Sequence, residues 1–356
     1  MKSAALQAGK RNVFALIRRA EFYDAPKKEL AELARDIEQR FGPVVAFTWI
    51  APTRWSAFRP RETNLVASFF ENGRLKSPYS ELMDIRKAVI TAAGPGQRML
   101  PLQTLVDRDG KTKTALAIIV EEALNSGAED ICVVVFPGDA DAYRAAAGPR
   151  GKRLQFVEQE KSLGYGHAIW SAHEFTGREP FLLLVGDHLY LSREQRSCAR
   201  QLIEVAAAEN CAVSAVQATH ESKLPYYGVA GGRLAENRKG LYLVSEVLEK
   251  PTPTVAEQRL IVPGLRAGHY LCFFGMHVLT PAVMDLLGEE LTANLSQTLA
   301  KLANRERYLA YELQGRRFDV GLKYGLLTAQ LAFALSSPAR PEVLAGIVEL
   351  LAEETR

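Results

Sequence analysis

Four charged residues in this chain sit where charge could do chemistry rather than hold up a surface: Arg98, Asp187, Asp319 and Lys323. The stretch "VITAAGPGQRMLP" leaves a β-branched run through Gly94 and Gly96 and then places Arg98. Backbone N–H groups in such a glycine turn can face an anion with no side chain in the way. An arginine close behind adds a permanent charge with a planar fork of donors suited to phosphate oxygens. The spacing is not the dinucleotide fingerprint, which needs a third glycine, nor a Walker loop. Taken alone, G-x-G is equally a turn that only connects two elements.

The carboxylates occupy comparable positions. "FLLLVGDHLYL" is a buried apolar run ending in Gly186 and Asp187, which puts a carboxylate at the carboxyl end of a strand. A cap would require a helix to start there, whereas "HLYL" reads as a further extended segment. "RRFDVGLKYG" repeats the arrangement, with Asp319 closing a strand, Gly321 turning and Lys323 opening a helix. Two such carboxylates converging from separate strands can hold Mg²⁺ and leave positions open for water and phosphate. Lys323 near a helix amino terminus would bind phosphate with help from free N–H groups. The alternative for Asp319 is a plain cap on the last helices.

Further along, "EQEKSLGYGHAIW" supplies Gln159 and a second glycine turn, Gly164 and Gly166. An amide offers a donor and an acceptor together, as reading the edge of a pyrimidine requires. His167 at a helix start reads as a structural hydrogen-bonding residue, not a general base. "VLEKP" offers Glu249 and Lys250 at a strand end, able to meet a sugar hydroxyl and a phosphate.

These residues need elements that aim them. From Arg86 the chain alternates strands and helices: a strand at 87–91, a helix from Thr114 to Asn125, "DICVVVF", "LQFVEQ", a helix from His167 to Phe175, "FLLLVGD", a helix from Glu194 to Glu209, and "AVSAVQA". That grammar predicts a mostly parallel, twisted sheet with helices on both faces, binding ligands beyond the carboxyl ends of its strands. "GVAGGR", "YLVSEVLEKP" and "HYLCFFGMHVL" predict antiparallel additions, followed by helices at Pro281–Leu291 and Leu295–Asn304 and a helical carboxy terminus from Tyr324. Residues 1–85 read as a small appended α/β segment, with a helix at Pro26–Arg40 and a strand at "VVAFTWIA"; residues 86–335 form the main domain and 336–356 a helical extension.

Composition narrows the class. The 356 residues are 47% hydrophobic, enough for a large core. With 44 basic and 41 acidic residues, the net charge of +3 gives no case for a nucleic-acid or membrane surface. The longest apolar runs are too short to span a bilayer, the amino terminus lacks a signal-peptide core, and Cys132, Cys198, Cys211 and Cys272 have no paired short spacing. A cytoplasmic protein with reduced core thiols is expected. The amphipathic "EVLAGIVELLAEE" could pack on the chain's own sheet or on a second subunit, which leaves a homo-oligomer open.

In order, A-A-G-x-G-x-R-M-L-P, Q followed by G-x-G-H-A, an apolar strand ending in Asp, Y-G-V, E-K-P, a strand with Gly275, and D-V-G-x-K cover residues 86–335. As a set the series resembles the bacterial UTP–glucose-1-phosphate uridylyltransferases. The resemblance implies a Rossmann-like nucleotidyltransferase fold making UDP-glucose and pyrophosphate from UTP and glucose 1-phosphate with Mg²⁺. By matching position, Ala92, Ala93 and Gly94 would meet the uracil and ribose, Gln159 and Gly164 would complete base recognition, and Gly96 and Arg98 would hold the triphosphate. Asp187 and Asp319 would hold the metal. Tyr227, Gly228, Glu249, Lys250, Gly275 and Lys323 would surround the sugar phosphate. Three places depart from the pattern. The Pro-Lys pair expected after R-M-L-P is replaced by "LQTLVDRDGKTK", which leaves Lys111 or Lys113 to reach the phosphates. Gln97 stands where a threonine is usual, and "NLSQTLA" replaces an acidic segment near the sugar. These departures keep two alternatives in view: a transferase for another base or sugar, and a sugar-nucleotide binding or regulatory protein with weakened turnover.

Overall fold

The computed structural model describes residues 83–354 apart from 97, 236 and 237, and ahead of Met83 only short strand pieces. The chain divides into two compact units, Met1–Leu82 and Met83–Arg356. In the first, Ile17–Arg18 pairs with Asn64–Leu65, and Ala67–Glu71 pairs with both Ala46–Phe47 and Arg74–Lys76, all antiparallel. Ala46–Phe47 falls within the expected strand, whereas the helix expected at Pro26–Arg40 lies outside the described residues.

The second unit opens with β1 (Lys87–Ala92), a run whose last five residues are all buried. β2 (Thr104–Val106) and β3 (Thr112–Thr114) form a hairpin leading into α1 (Ala115–Ser126). Thr114 caps that helix by accepting from the Ala117 N–H, and Gly127 closes it in the left-handed conformation. Then come β4 (Asp130–Val135), α2 (Ala140–Ala146) and β5 (Leu154–Glu158). The helix expected over His167–Phe175 is two short ones, α3 (Tyr165–Trp170) and α4 (His173–Thr176), split at Ser171 and Ala172. β6 (Phe181–Val185) and β7 (His188–Ser192) follow. The next helix, α5 (Cys198–Glu209), starts later than expected because Ser197 takes the cap, accepting from the Arg200 N–H at 3.1 Å.

β8 (Ala212–His220) is the expected strand "AVSAVQA", and the antiparallel additions form as expected in β9 (Gly228–Leu234), β10 (Leu241–Glu249) and β11 (His269–Leu279), with a helix the sequence reading did not include, α6 (Pro253–Arg259), between the last two. α7 (Pro281–Glu289), α8 (Leu295–Arg305), β12 (Tyr308–Glu312), β13 (Gly315–Asp319), α9 (Gly325–Leu335) and α10 (Arg340–Glu354) complete the unit.

Nine strands form one sheet in the order β5-β4-β1-β6-β11-β8-β12-β10-β9, with β9 also pairing to β11. All but β10 and β11 run the same way, so the mostly parallel α/β reading holds. Alternate residues of the central strands serve opposite faces. Ile90, Leu182 and Leu184 pack with Leu116 and Ile119 of α1, Leu202 of α5 and Phe333 of α9. Val89, Phe181 and Leu183 pack with Ile169 of α3, Val283 of α7 and Leu299 of α8. Each fully buried Leu, Ile or Phe contributes about 1.5–3 kcal/mol. Substantial burial on both sides therefore makes the strand tips rigid mounts for whatever leaves them. All four cysteines are buried and free within this core. Among the described residues, no helix is long and apolar enough to cross a membrane.

Candidate active site

β1 and β6 lie side by side in parallel register, with Thr91 opposite Val185. Their exits therefore start from neighbouring points on one edge. The Gly186 N–H donates to the Thr91 carbonyl at 2.8 Å, tying the two exits together. From one leave Ala93, Gly94 and Gly96; from the other leaves Asp187. Ala92 and Ala93 are buried at the strand tip, while Gly96 is exposed.

The carboxylates meet because β7 and β13 form an antiparallel ribbon that pairs His188 with Asp319. Val320 N–H donates to the Asp187 carbonyl at 2.9 Å, and Gly321 N–H donates to Asp319 Oδ1 at 2.9 Å. His188 Nδ1 stands 2.8 Å from Asp187 Oδ1. One ligand atom each from Asp187, His188 and Asp319 lies within 4.8 Å of the other two. Burial pushes the Asp187 carboxyl up, but the hydrogen bond and charge of His188 outweigh it and hold the group below its ordinary value. Asp319 goes the other way, raised first by burial and further by the charge of Asp187, against the opposing pull of His188. Two close carboxylates that repel in a partly dry setting are the electrostatic complement of a divalent cation. The donors fit one; His188 was not singled out in the sequence, although it follows Asp187 directly.

Arg98 is held from three sides. Its Nε donates to Asp139 Oδ2 at 2.7 Å, its Nη2 donates to Asp139 Oδ1, and its guanidinium carbon lies 4.5 Å from the Phe136 ring centroid. The Tyr143 hydroxyl donates to the Arg98 carbonyl at 2.7 Å, with the Ala92 carbonyl 3.2 Å away. Phe136, Asp139 and Tyr143 come from the exit of β4 and from α2, so the glycine loop is strapped to the next strand's tip. The bond to Asp139 raises the arginine's pKa, which keeps it fully charged.

Gln159, just past β5, is buried. Its Nε2 donates to the Gly164 carbonyl at 3.1 Å and stands 3.1 Å from His167 Nδ1. His167 thus serves as the structural partner its position suggested, fixing the amide. Tyr165, between the two glycines, went unremarked in the sequence. Its hydroxyl is hydrogen-bonded to Thr91, and its pKa is raised first by burial and then by the charges of Asp187 and Glu249.

Among the residues expected around the sugar phosphate, Gly228 pairs with Glu249 across β9 and β10. A Cβ at Gly228 would stand 2.6 Å from Ser296 Oγ, 2.8 Å from the Phe273 ring and 3.0 Å from Glu249 Oε2, so only glycine fits. Ser296 Oγ donates to Glu249 Oε2 at 2.6 Å. Ser296 belongs to "NLSQTLA", so this segment supplies a hydroxyl that fixes the carboxylate. Its helix is started by a capping box between Asn294 and Gln297, a pattern legible in the sequence. Lys250 adopts φ +45°, a left-handed conformation uncommon outside glycine and typical of functional turns. Tyr227 lies under the Arg317 guanidinium at 3.8 Å, a cation–π contact that neither residue type announces in the sequence. Gly275 lies on β11 with its carbonyl accepting from the Tyr190 hydroxyl at 2.7 Å.

Two expectations need correction. Lys323 does not open a helix: it sits in the turn before α9, whose cap position is Tyr324, with its ammonium 5.3 Å from the Tyr324 ring. Among the described residues it makes no ion pair. Lys113 is not a free cation awaiting phosphate. Its ammonium is bound to Asp107 at 2.6 Å and Glu121 at 2.7 Å. Those two carboxylates line a cavity of about 420 Å³ bounded by α1, β7 and the start of α5, and none of Gly94, Gln159 or Asp187 lines it. Lys111 contributes its backbone N–H to Asp107.

The comparisons with known proteins agree with the geometry. A UTP–glucose-1-phosphate uridylyltransferase of Streptococcus pneumoniae serotype 4 is 28% identical over 302 residues, 76% of this chain and 97% of the relative. Another of the same name from Bacillus subtilis is 28% identical over 74% of this chain and 96% of its own. Among solved structures, a UDP-glucose pyrophosphorylase from Acinetobacter baumannii superposes with a TM-score of 0.61 at 25% identity, covering 75% of this chain and 100% of that one. A UDP-glucose pyrophosphorylase complexed with UDP-glucose shares the fold at a TM-score of 0.57 and 23% identity, covering 70% of this chain and 98% of that one. The resemblance drawn from motif order is borne out. A family model described as nucleotidyl transferase matches residues 87–334, the span from β1 to the end of α9, and the chain belongs to that family.

Proposed function

We propose that the protein transfers a uridylyl group from UTP to glucose 1-phosphate, giving UDP-glucose and pyrophosphate. The observation that carries this reading is the meeting of Asp187 and Asp319 beside the glycine loop, in a chain that matches uridylyltransferases over 97% of a relative's length. A phosphate oxygen of the sugar phosphate attacks the α-phosphorus of UTP, and the bond from that phosphorus to the β-bridging oxygen breaks, releasing pyrophosphate. The nucleophile is already anionic, so no general base is required, and catalysis reduces to in-line positioning and charge neutralisation.

The family resemblance implies the roles, and the geometry supports them. Ala92, Ala93 and Gly94 border the uracil and ribose, with the amide of Gln159, held by Gly164 and His167, reading the base edge. Gly96 offers backbone N–H groups to the triphosphate. Asp139 uses the Arg98 Nε and Nη2 and leaves Nη1 for phosphate. Glu249, steadied by Ser296, accepts from sugar hydroxyls beside Tyr227, Gly228 and Gly275, while Lys250 and Lys323 meet the sugar's phosphate. Lys113 takes no part in this reading, since its charge is already compensated. Asp187 and Asp319 would hold Mg²⁺, which when bound neutralises phosphate charge and orients the α-phosphate. The buried, free cysteines support the cytoplasm as the site of action.

The test is a nucleotide panel: UTP, dTTP, CTP and ATP, each with glucose 1-phosphate and Mg²⁺, monitored for pyrophosphate. UTP should be used best. Equal or better use of dTTP or CTP would overturn the uridylyl assignment.

A further inference from the structure

Two aspartates alone would give the cation oxygen donors only, the set that suits magnesium. This chain adds a nitrogen. His188 follows Asp187, pairs directly with Asp319 in the β7–β13 ribbon, and is 9% exposed. Each of the three residues offers one ligand atom within 4.8 Å of the others.

The ring is also oriented as a ligand would be. Its Nδ1 is 2.8 Å from Asp187 Oδ1. Ligand atoms about 2.1 Å from one cation and at right angles lie about 3 Å apart, so this nitrogen and that oxygen already stand at the separation of two neighbouring ligands, should a cation take the place of the hydrogen bond between them. Space for the imidazole comes from Gly275, which takes φ +78°; a Cβ there would lie 2.7 Å from Val185 Cγ2 and 3.2 Å from His188 Cδ2. Even an alanine would crowd the ring.

We infer that His188 is a third donor to the divalent cation held between Asp187 and Asp319, and that its nitrogen moves the site's preference from Mg²⁺ towards Mn²⁺ or Co²⁺. Imidazole suits transition metals, whose affinity for mixed nitrogen and oxygen sites exceeds that of magnesium, an ion that prefers hard oxygen ligands and retained water. The inference rests on reading the strand-tip pocket as a metal-assisted transferase site, yet metal binding can be measured without turnover.

The experiment titrates the full-length protein with Mn²⁺, alone and with UTP present, following the free-ion EPR signal and using Mg²⁺ as competitor. Pulsed EPR of the bound Mn²⁺ then looks for coupling to ¹⁴N. Wild type should show that coupling and a clear preference for Mn²⁺. In His188→Asn the coupling should vanish and the Mn²⁺ to Mg²⁺ affinity ratio should fall about tenfold to a hundredfold. Absence of Mn²⁺ binding under both conditions, no nitrogen coupling in wild type, or an unchanged ratio in the variant would overturn the assignment. Nitrogen-coupled Mn²⁺ in a protein that releases no pyrophosphate would support the site and defeat the proposed reaction, so the two failures are distinguishable.

Discussion

Arg98 shows how much a side chain's role depends on partners that its own stretch of sequence does not name. The G-x-G-x-R spacing marked it as a phosphate ligand; its bond to Asp139, 41 positions away, gives it a fixed orientation. Arg98→Ala should lower kcat/KM on the order of a hundredfold to a thousandfold, the usual loss for one aimed cationic donor. Asp139→Ala leaves the charge but frees the fork. About a tenfold rise in the KM for UTP is expected, the scale of one charge-assisted hydrogen bond, with little change in melting temperature. An unchanged KM would mean that Asp139 does not position Arg98. Gly228→Ala tests the sugar side: overpacking against Ser296, Phe273 and Glu249 should destabilise the fold by about 1–3 kcal/mol. It should also raise the KM for glucose 1-phosphate more than that for UTP. Asp187 was legible because it ends an apolar run, and Asp319 because it closes a strand just ahead of the turn at Gly321. Lys113 misled because charge alone is visible in a sequence, and its neutralisation by Asp107 and Glu121 is not.

At the scale of elements, the buried parallel strands were the easiest to read, since β1 and β6 are covered on both faces and so appear as continuous apolar runs. Helix starts were harder. "SREQRS" before α5 is polar and helix-compatible, yet Ser197 caps only at its end, while Arg196 pairs with Glu194 and Glu204 at the surface. The start of α5 also carries a buried acid from another helix. Glu122 of α1 accepts from the Ala199 N–H at 2.7 Å, and burial pushes its pKa up to about 7 despite that bond and those from Ser197 and Cys198. Since an unfolded glutamate titrates near ~4.3, the folded state binds more protons between about pH 4.5 and 7. Stability should therefore fall as pH rises through that window. Thermal melts should show this slope in wild type and lose it in Glu122→Gln; a slope that survives the substitution would assign it to other groups.

For the whole molecule, the βαβ order specified one sheet with its strand tips on a common edge, and the topology then made neighbours of residues distant in the chain. What composition and periodicity could not supply was the antiparallel ribbon of β7 and β13, because its strands are short and find each other only through the fold. The family match begins at residue 87, close to the division after Leu82. A protein starting at Met83 should accordingly melt cooperatively and still bind UTP; loss of both would make residues 1–82 part of the working fold. The most direct test of the shared pocket is pyrophosphate release from UTP and glucose 1-phosphate by wild type, Asp187→Asn and Asp319→Asn. Wild type should turn over, and each variant should lose on the order of a hundredfold or more while keeping its fold. Undiminished release by either variant would contradict the claim that these two carboxylates serve one reaction centre.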